Sequence, residues 1–154
     1  MKQQASSAAL RKIDHVTIVV KDLYAAKKFF LDLGLRVIHE GSLTGVWIDK
    51  ITNLENVKAQ YCALGIKEGQ TNLELIAYDS PADHSVAKEE MPNKPGIRHI
   101  AFEVASIEKV VAQLKKKHIK LFSEIQFYEP SNKKLCYFYG PEGIILELAE
   151  YGKK

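Results

Sequence analysis

The chain is written twice, and that repeat limits the folds open to it more than any other feature. IDHVTIVVKDLYAAKKFFLDLGLRVI, Ile13 to Ile38, lies without a gap over IRHIAFEVASIEKVVAQLKKKHIKLF, Ile97 to Phe122, at an offset of 84. Apolar residues meet apolar residues at most positions, and His15 meets His99. A second match sets NLELIAY, Asn72 to Tyr78, over ILELAEY, Ile145 to Tyr151, at an offset of 73, so that Glu74 meets Glu147. The two offsets give the first copy about eleven extra residues, assigned to a loop around Thr44 to Asn56. Two copies imply one supersecondary unit built twice.

Each copy opens with period-two alternation, Val16, Ile18 and Val20 in the first and Ile100, Phe102 and Val104 in the second, which predicts a strand. A helix follows. Asp22 is placed to cap one that buries Leu23, Ala26, Phe29, Phe30 and Leu33 and stops at Gly34. Ser106 is placed to cap its counterpart, which buries Ile107, Val110, Val111 and Leu114. Three further strands are expected in each copy: Leu35 to Glu40, Val57 to Gly65 and Leu73 to Tyr78, then Ile119 to Tyr128, Leu135 to Tyr139 and Ile144 to Leu148. Breaks at Ile66 to Thr71 and Gly140 to Gly143 suit hairpin turns. The expected fold is α+β, with an N-terminal tail (1–11), a first βαβββ module (12–78), a connector (79–96) carrying Pro81, Pro92 and Pro95, a second module (97–151) and a short tail (152–154).

With 46% hydrophobic residues in 154, the chain can bury a core without staples. Cys62 and Cys136 form no CxxC pair and are expected to be small buried side chains of a reduced, cytoplasmic protein. No apolar run is long enough to span a membrane. The net charge is only +3, and Lys115, Lys116 and Lys117 end a predicted helix whose dipole favours cations, so nucleic-acid binding is not expected. His39, His84 and His118 are expected at solvated turns or helix ends.

His15 and His99 each interrupt a strand otherwise made for burial. Singly, either is better explained as a hydrogen-bonded core or surface residue. Glu74 and Glu147 are each flanked by leucines, and if those leucines pack on helices both carboxylates project from the other side of the sheet. Two related modules paired by pseudo-twofold symmetry bring equivalent strands together, so His15, Glu74, His99 and Glu147 are expected to converge on one divalent metal ion. Neutral imidazoles and ionised carboxylates suit zinc, nickel, cobalt, manganese or iron.

These segments resemble the vicinal oxygen chelate superfamily, which includes glyoxalase, methylmalonyl-CoA epimerase, fosfomycin-resistance proteins and extradiol dioxygenases. The resemblance rests on IDHVTIVVKDL, FFLDLGL, GIRHIAFEV and YGPEGIILEL and spans about Lys12 to Tyr151. It implies paired βαβββ modules in an open, cup-shaped mixed sheet around a metal, with ligands from the first and last strand of each module, at His15, Glu74, His99 and Glu147. It also implies proton transfer beside a carbonyl, with Glu74 and Glu147 as the candidate catalytic carboxylates. The expected activity is thus that of a metal-dependent glyoxalase-like lyase or isomerase, or of an acyl-thioester epimerase. An Fe(II)-dependent dioxygenase and a small-molecule-binding resistance protein are the alternatives. Trp47, Tyr137 and Tyr139 are candidates for the wall of a small-molecule pocket, and homodimerisation is expected from the resemblance.

Overall fold

In the computed structural model, residues 9–69 and 71–152 are described. Most of the N-terminal tail, Gln70 of the Ile66–Thr71 turn, and Lys153 and Lys154 lie outside them. The chain divides into two compact units, Met1–Asp83 and His84–Lys154. Among the described residues, no helix is long and apolar enough to cross a membrane.

The first unit runs β1 (His15–Val19), α1 (Leu23–Leu33), β2 (Arg36–Thr44), α2 (Val46–Thr52), β3 (Lys58–Gly65) and β4 (Asn72–Ser80). Its sheet has the order β1-β4-β3-β2, with β1 parallel to β4 and the other pairs antiparallel. The second unit runs β5 (His99–Glu103), α3 (Ile107–Lys116), β6 (Gln126–Tyr128), β7 (Lys133–Tyr139) and β8 (Ile145–Tyr151). Its sheet, β5-β8-β7-β6, repeats the pattern, with β5 parallel to β8. Both units are thus α+β, each with a mixed four-stranded sheet, and the βαβββ plan holds in both.

Helix α1 begins where Asp22 Oδ1 accepts the Ala25 N–H at 2.9 Å. It ends at Gly34, whose φ of 114° is open to glycine at little strain. It packs across β2, β3 and β4 and buries Ala26 and Phe30. Leu73 and Leu75 of β4 are buried, as are Leu146 and Leu148 of β8, the strand on which α3 packs. Alternation then turns Glu74 and Glu147 to the opposite faces of their sheets. Cys62 and Cys136, paired in register with Leu75 and Leu148, are free, buried thiols, as expected. Burial pushes both thiols above the ordinary cysteine value.

Four expectations need correction. The extra segment of the first copy is not a plain loop: it contains α2, whose Ile48 packs with Val57, Ala59 and Ile76. Because Ile76 alternates in phase with Glu74, α2 covers part of the face that carries Glu74. The stretch Ile119 to Tyr128 forms only a three-residue strand, β6, plus a single bridge between Leu121 and Phe138. Backbone bonds from Phe122 N–H to Tyr137 O and from Tyr139 N–H to Lys120 O hold residues 120–122 to β7. Beyond them the pairing lapses until Gln126, and Ser123 donates its hydroxyl to the Glu124 carbonyl. Ser106 makes no side-chain capping bond, and the first helical N–H, of Ile107, is accepted by Glu150 of β8 at 2.6 Å. His39 lies within β2, with its ring 5.5 Å from that of Tyr61, because that strand runs on to Thr44.

Candidate metal centre

Each unit places one histidine and one glutamate in the same relation. In the parallel pair β1/β4, Thr17 lies opposite Glu74, two residues after His15. In β5/β8, Ala101 lies opposite Glu147, two residues after His99. Side chains two apart on a strand share a face, so each histidine stands diagonally beside its glutamate. The first pair puts His15 Nε2 4.0 Å from Glu74 Oε1, and the second puts His99 Nε2 3.1 Å from Glu147 Oε2.

The surroundings of the two pairs differ. His15 Nδ1 lies 2.9 Å from the Asp14 carboxylate. Since an ionised carboxylate only accepts, Nδ1 carries the proton in this contact, and Nε2 is the ring nitrogen that faces Glu74. Contacts with His15 and then Lys12 hold the Asp14 carboxyl below the usual aspartate value, which keeps it an acceptor. Glu74 accepts a hydrogen bond from the Thr17 hydroxyl at 3.1 Å, and its side chain is 22% exposed.

Glu147 is a buried carboxylate, with only 5% of its side chain exposed. The Lys133 ammonium donates to its Oε1 at 2.7 Å, leaving Oε2 to face His99. That hydrogen bond, more than any other cause, raises Lys133 above the ordinary lysine value. Sequence reasoning offered a metal as the partner of a carboxylate buried here and missed Lys133. The signal was available in phase: Lys133, Leu135, Tyr137 and Tyr139 alternate along β7, on the face where Tyr137 pairs with Glu147.

The same alternation settles the aromatics of β7. Phe138 is fully buried behind the sheet, whereas Tyr137 and Tyr139 share the Glu147 face. The Tyr137 ring lies tilted against His99 at 5.0 Å, and Phe122 packs on Tyr137 at 5.8 Å and on Tyr139 at 4.6 Å. A pocket of about 190 Å3 opens beside Tyr137, lined by Phe122, Ser123, Gln126, Leu135, Cys136 and Tyr137. Phe122 was not foreseen as a wall residue, because its stretch read as a regular strand. Trp47 stands on α2, 53% exposed, and is not among the residues that line this pocket.

The structure therefore brings His15 to Glu74 and His99 to Glu147. Among the described residues no group of three or more His, Cys, Asp or Glu side chains is gathered at metal-holding distance. Two observations test whether these pairs suit a metal ion. Imidazole nitrogen and carboxylate oxygen are ordinary ligands of first-row divalent ions. Two donors each about 2.1 Å from a shared ion stand about 3 Å apart at a right angle and about 4.2 Å apart when opposed. The separations of 3.1 and 4.0 Å both fall in that span, so each pair fits.

Comparison with known proteins agrees with this architecture. The family model described as Glyoxalase/Bleomycin resistance protein/Dioxygenase superfamily matches residues 12–148. The uncharacterized protein YwkD of Bacillus subtilis is 28% identical over 142 residues, which is 92% of this chain and 98% of that protein. A crystal structure of a glyoxalase family protein from Bacillus cereus is 28% identical, with a TM-score of 0.87 over 96% of this chain and 100% of its own. At 22% identity the trypanothione-dependent glyoxalase I of Leishmania major shares the fold, with a TM-score of 0.64 over 92% of this chain and 87% of its own. With the repeated fold, the paired His and Glu positions and a family match over most of its length, the chain belongs to the Glyoxalase/Bleomycin resistance protein/Dioxygenase superfamily.

Proposed function

We propose that His15, Glu74, His99 and Glu147 together hold one divalent metal ion, and that the chain is a glyoxalase-like isomerase or lyase, or an acyl-thioester epimerase. The observation that carries this reading is the equal register of the two His/Glu pairs, with His99 set against a buried carboxylate at 3.1 Å. Membership of a superfamily that includes metal-dependent enzymes such as glyoxalase I supports it. When bound, the ion supplies Lewis acidity, drawing electron density from a substrate carbonyl so that the neighbouring C–H becomes acidic.

The residues divide the remaining work. Glu147, fixed by Lys133 and facing His99, is a stationary donor. Asp14 orients His15 through Nδ1, the outer-shell arrangement that fixes tautomer and ring direction. Glu74 accepts the Thr17 hydroxyl and is more open than Glu147, so it is the carboxylate free to take a proton from carbon and return it. Tyr137 and Phe122 wall the adjoining pocket, where the apolar part of a small carbonyl substrate can lie and displace water.

Metal analysis of the purified chain, followed by solvent deuterium exchange into hemithioacetals and acyl thioesters with each metal restored, tests the proposal. Deuterium entry at the carbon beside the carbonyl, without oxygen uptake and lost in Glu74→Gln, is expected. Iron-dependent oxygen consumption would overturn it in favour of a dioxygenase. Substrate binding that survives metal removal, with no exchange, would make the chain a binding protein.

A further inference from the structure

Lys133 has no equivalent in the first unit. It is paired in register with Tyr151, and the corresponding residue opposite Tyr78 is Ala59. Its side chain is 19% exposed, with Nζ 5.8 Å from the centre of the Tyr151 ring and 2.7 Å from Glu147 Oε1. A half-buried lysine in such a place is far from a solvated surface cation. It is held by one carboxylate, and that carboxylate is a proposed ligand.

We propose that Lys133 is a positioning residue that presents Glu147 to the metal by a single oxygen and sets the residual positive charge of the loaded centre. The inference rests on the four-donor reading above. Two ionised carboxylates alone would cancel the charge of a divalent ion. With the ammonium lodged against one of them, the donors and Lys133 together carry one net negative charge, and the loaded site keeps a net charge of +1. A centre of that charge favours substrates that develop or carry an anionic oxygen.

Lys133 acts on cation binding in two opposed ways. Pinning Glu147 spares the ordering of one side chain, which favours the ion. Placing a unit positive charge a few ångströms away disfavours it, and in a partly buried site that repulsion exceeds the entropy of one rotamer. The net effect of Lys133 is weaker metal binding in return for a more electrophilic centre.

The test is competition between the full chain and a chelator for Zn²⁺ and for Ni²⁺, with stoichiometry and metal-free melting temperature measured alongside. Lys133→Met is expected to bind metal about tenfold more tightly than the parent and to lower kcat for deuterium exchange, and Lys133→Arg, which keeps the charge, to stay within about threefold in affinity. A folded Lys133→Met protein with unchanged or weaker metal affinity would overturn the inference. If the methionine variant does not fold, Lys133→Gln removes the same charge and is read by the same criteria. A parent chain that takes up no stoichiometric metal would instead sink the four-donor reading and this inference with it, so the two failures are told apart by the parent alone.

Discussion

The two His/Glu pairs share a register and differ in almost everything around them. Near Glu74 the surroundings are a hydroxyl from Thr17, partial exposure and, further along the same face, helix α2. Near Glu147 they are a lysine, a histidine in hydrogen-bonding range and aromatic rings. A duplicated backbone supplied the placement, and separate side-chain neighbours then gave equivalent carboxylates different surroundings, on which the proposed division of tasks rests. A buried, cation-paired carboxylate is a fixed feature, while a lightly tied one can move, and proton transfer needs the second kind.

The largest effect tests the fixed member. Glu147→Ala removes the partner of a mostly buried ammonium, and chemical denaturation should show a loss on the order of 3 kcal/mol. Glu147→Gln keeps the shape and removes the charge; equilibrium dialysis should show metal affinity falling by about 100-fold or more, since a first-layer ligand should matter at least as much as an outer-layer one. In Glu74→Gln the order should reverse, with deuterium exchange slowed by about 100-fold or more and stability altered by less than about 1 kcal/mol. Equal stability losses at the two glutamates would erase the proposed division.

A smaller change is expected at the orienting carboxylate. Asp14→Asn should weaken metal binding by roughly tenfold, the low end for an outer-layer partner, because Asp14 is well exposed. Helix starts extend the comparison away from the site. Asp22 caps α1 from its own chain position, whereas Glu150 caps α3 from a strand. Thermal melts of Asp22→Ala and Glu150→Ala should each show about 1 kcal/mol of lost stability, and Ser106→Ala should show almost none.

Much of this molecule was legible in the chain. Alternation at Val16 to Val20 and Ile100 to Val104, and the stop at Gly34, depend on neighbours within one element, so β1, β5 and the end of α1 follow from local physics. The identity of the family followed from motifs spread over both copies. What stayed hidden depends on partners distant in sequence. Glu150 reaches the Ile107 N–H because β8 passes the start of α3. Lys133 reaches Glu147 only once β7 and β8 pair. The Ile119 to Tyr128 stretch had the composition of a strand, but a strand also needs an uninterrupted neighbour, and its residues pair with β7 only in part. Gly143 shows the same limit: a Cβ there would collide with the Lys88 carbonyl oxygen, an approach that no local pattern reveals.

If the two pairs serve a single ion, metal stoichiometry of the parent chain beside His15→Ala and His99→Ala will show it. One tightly held divalent ion per chain, lost in either variant, is expected. Two ions per chain, or full tight occupancy in either variant, would rule out a shared ion.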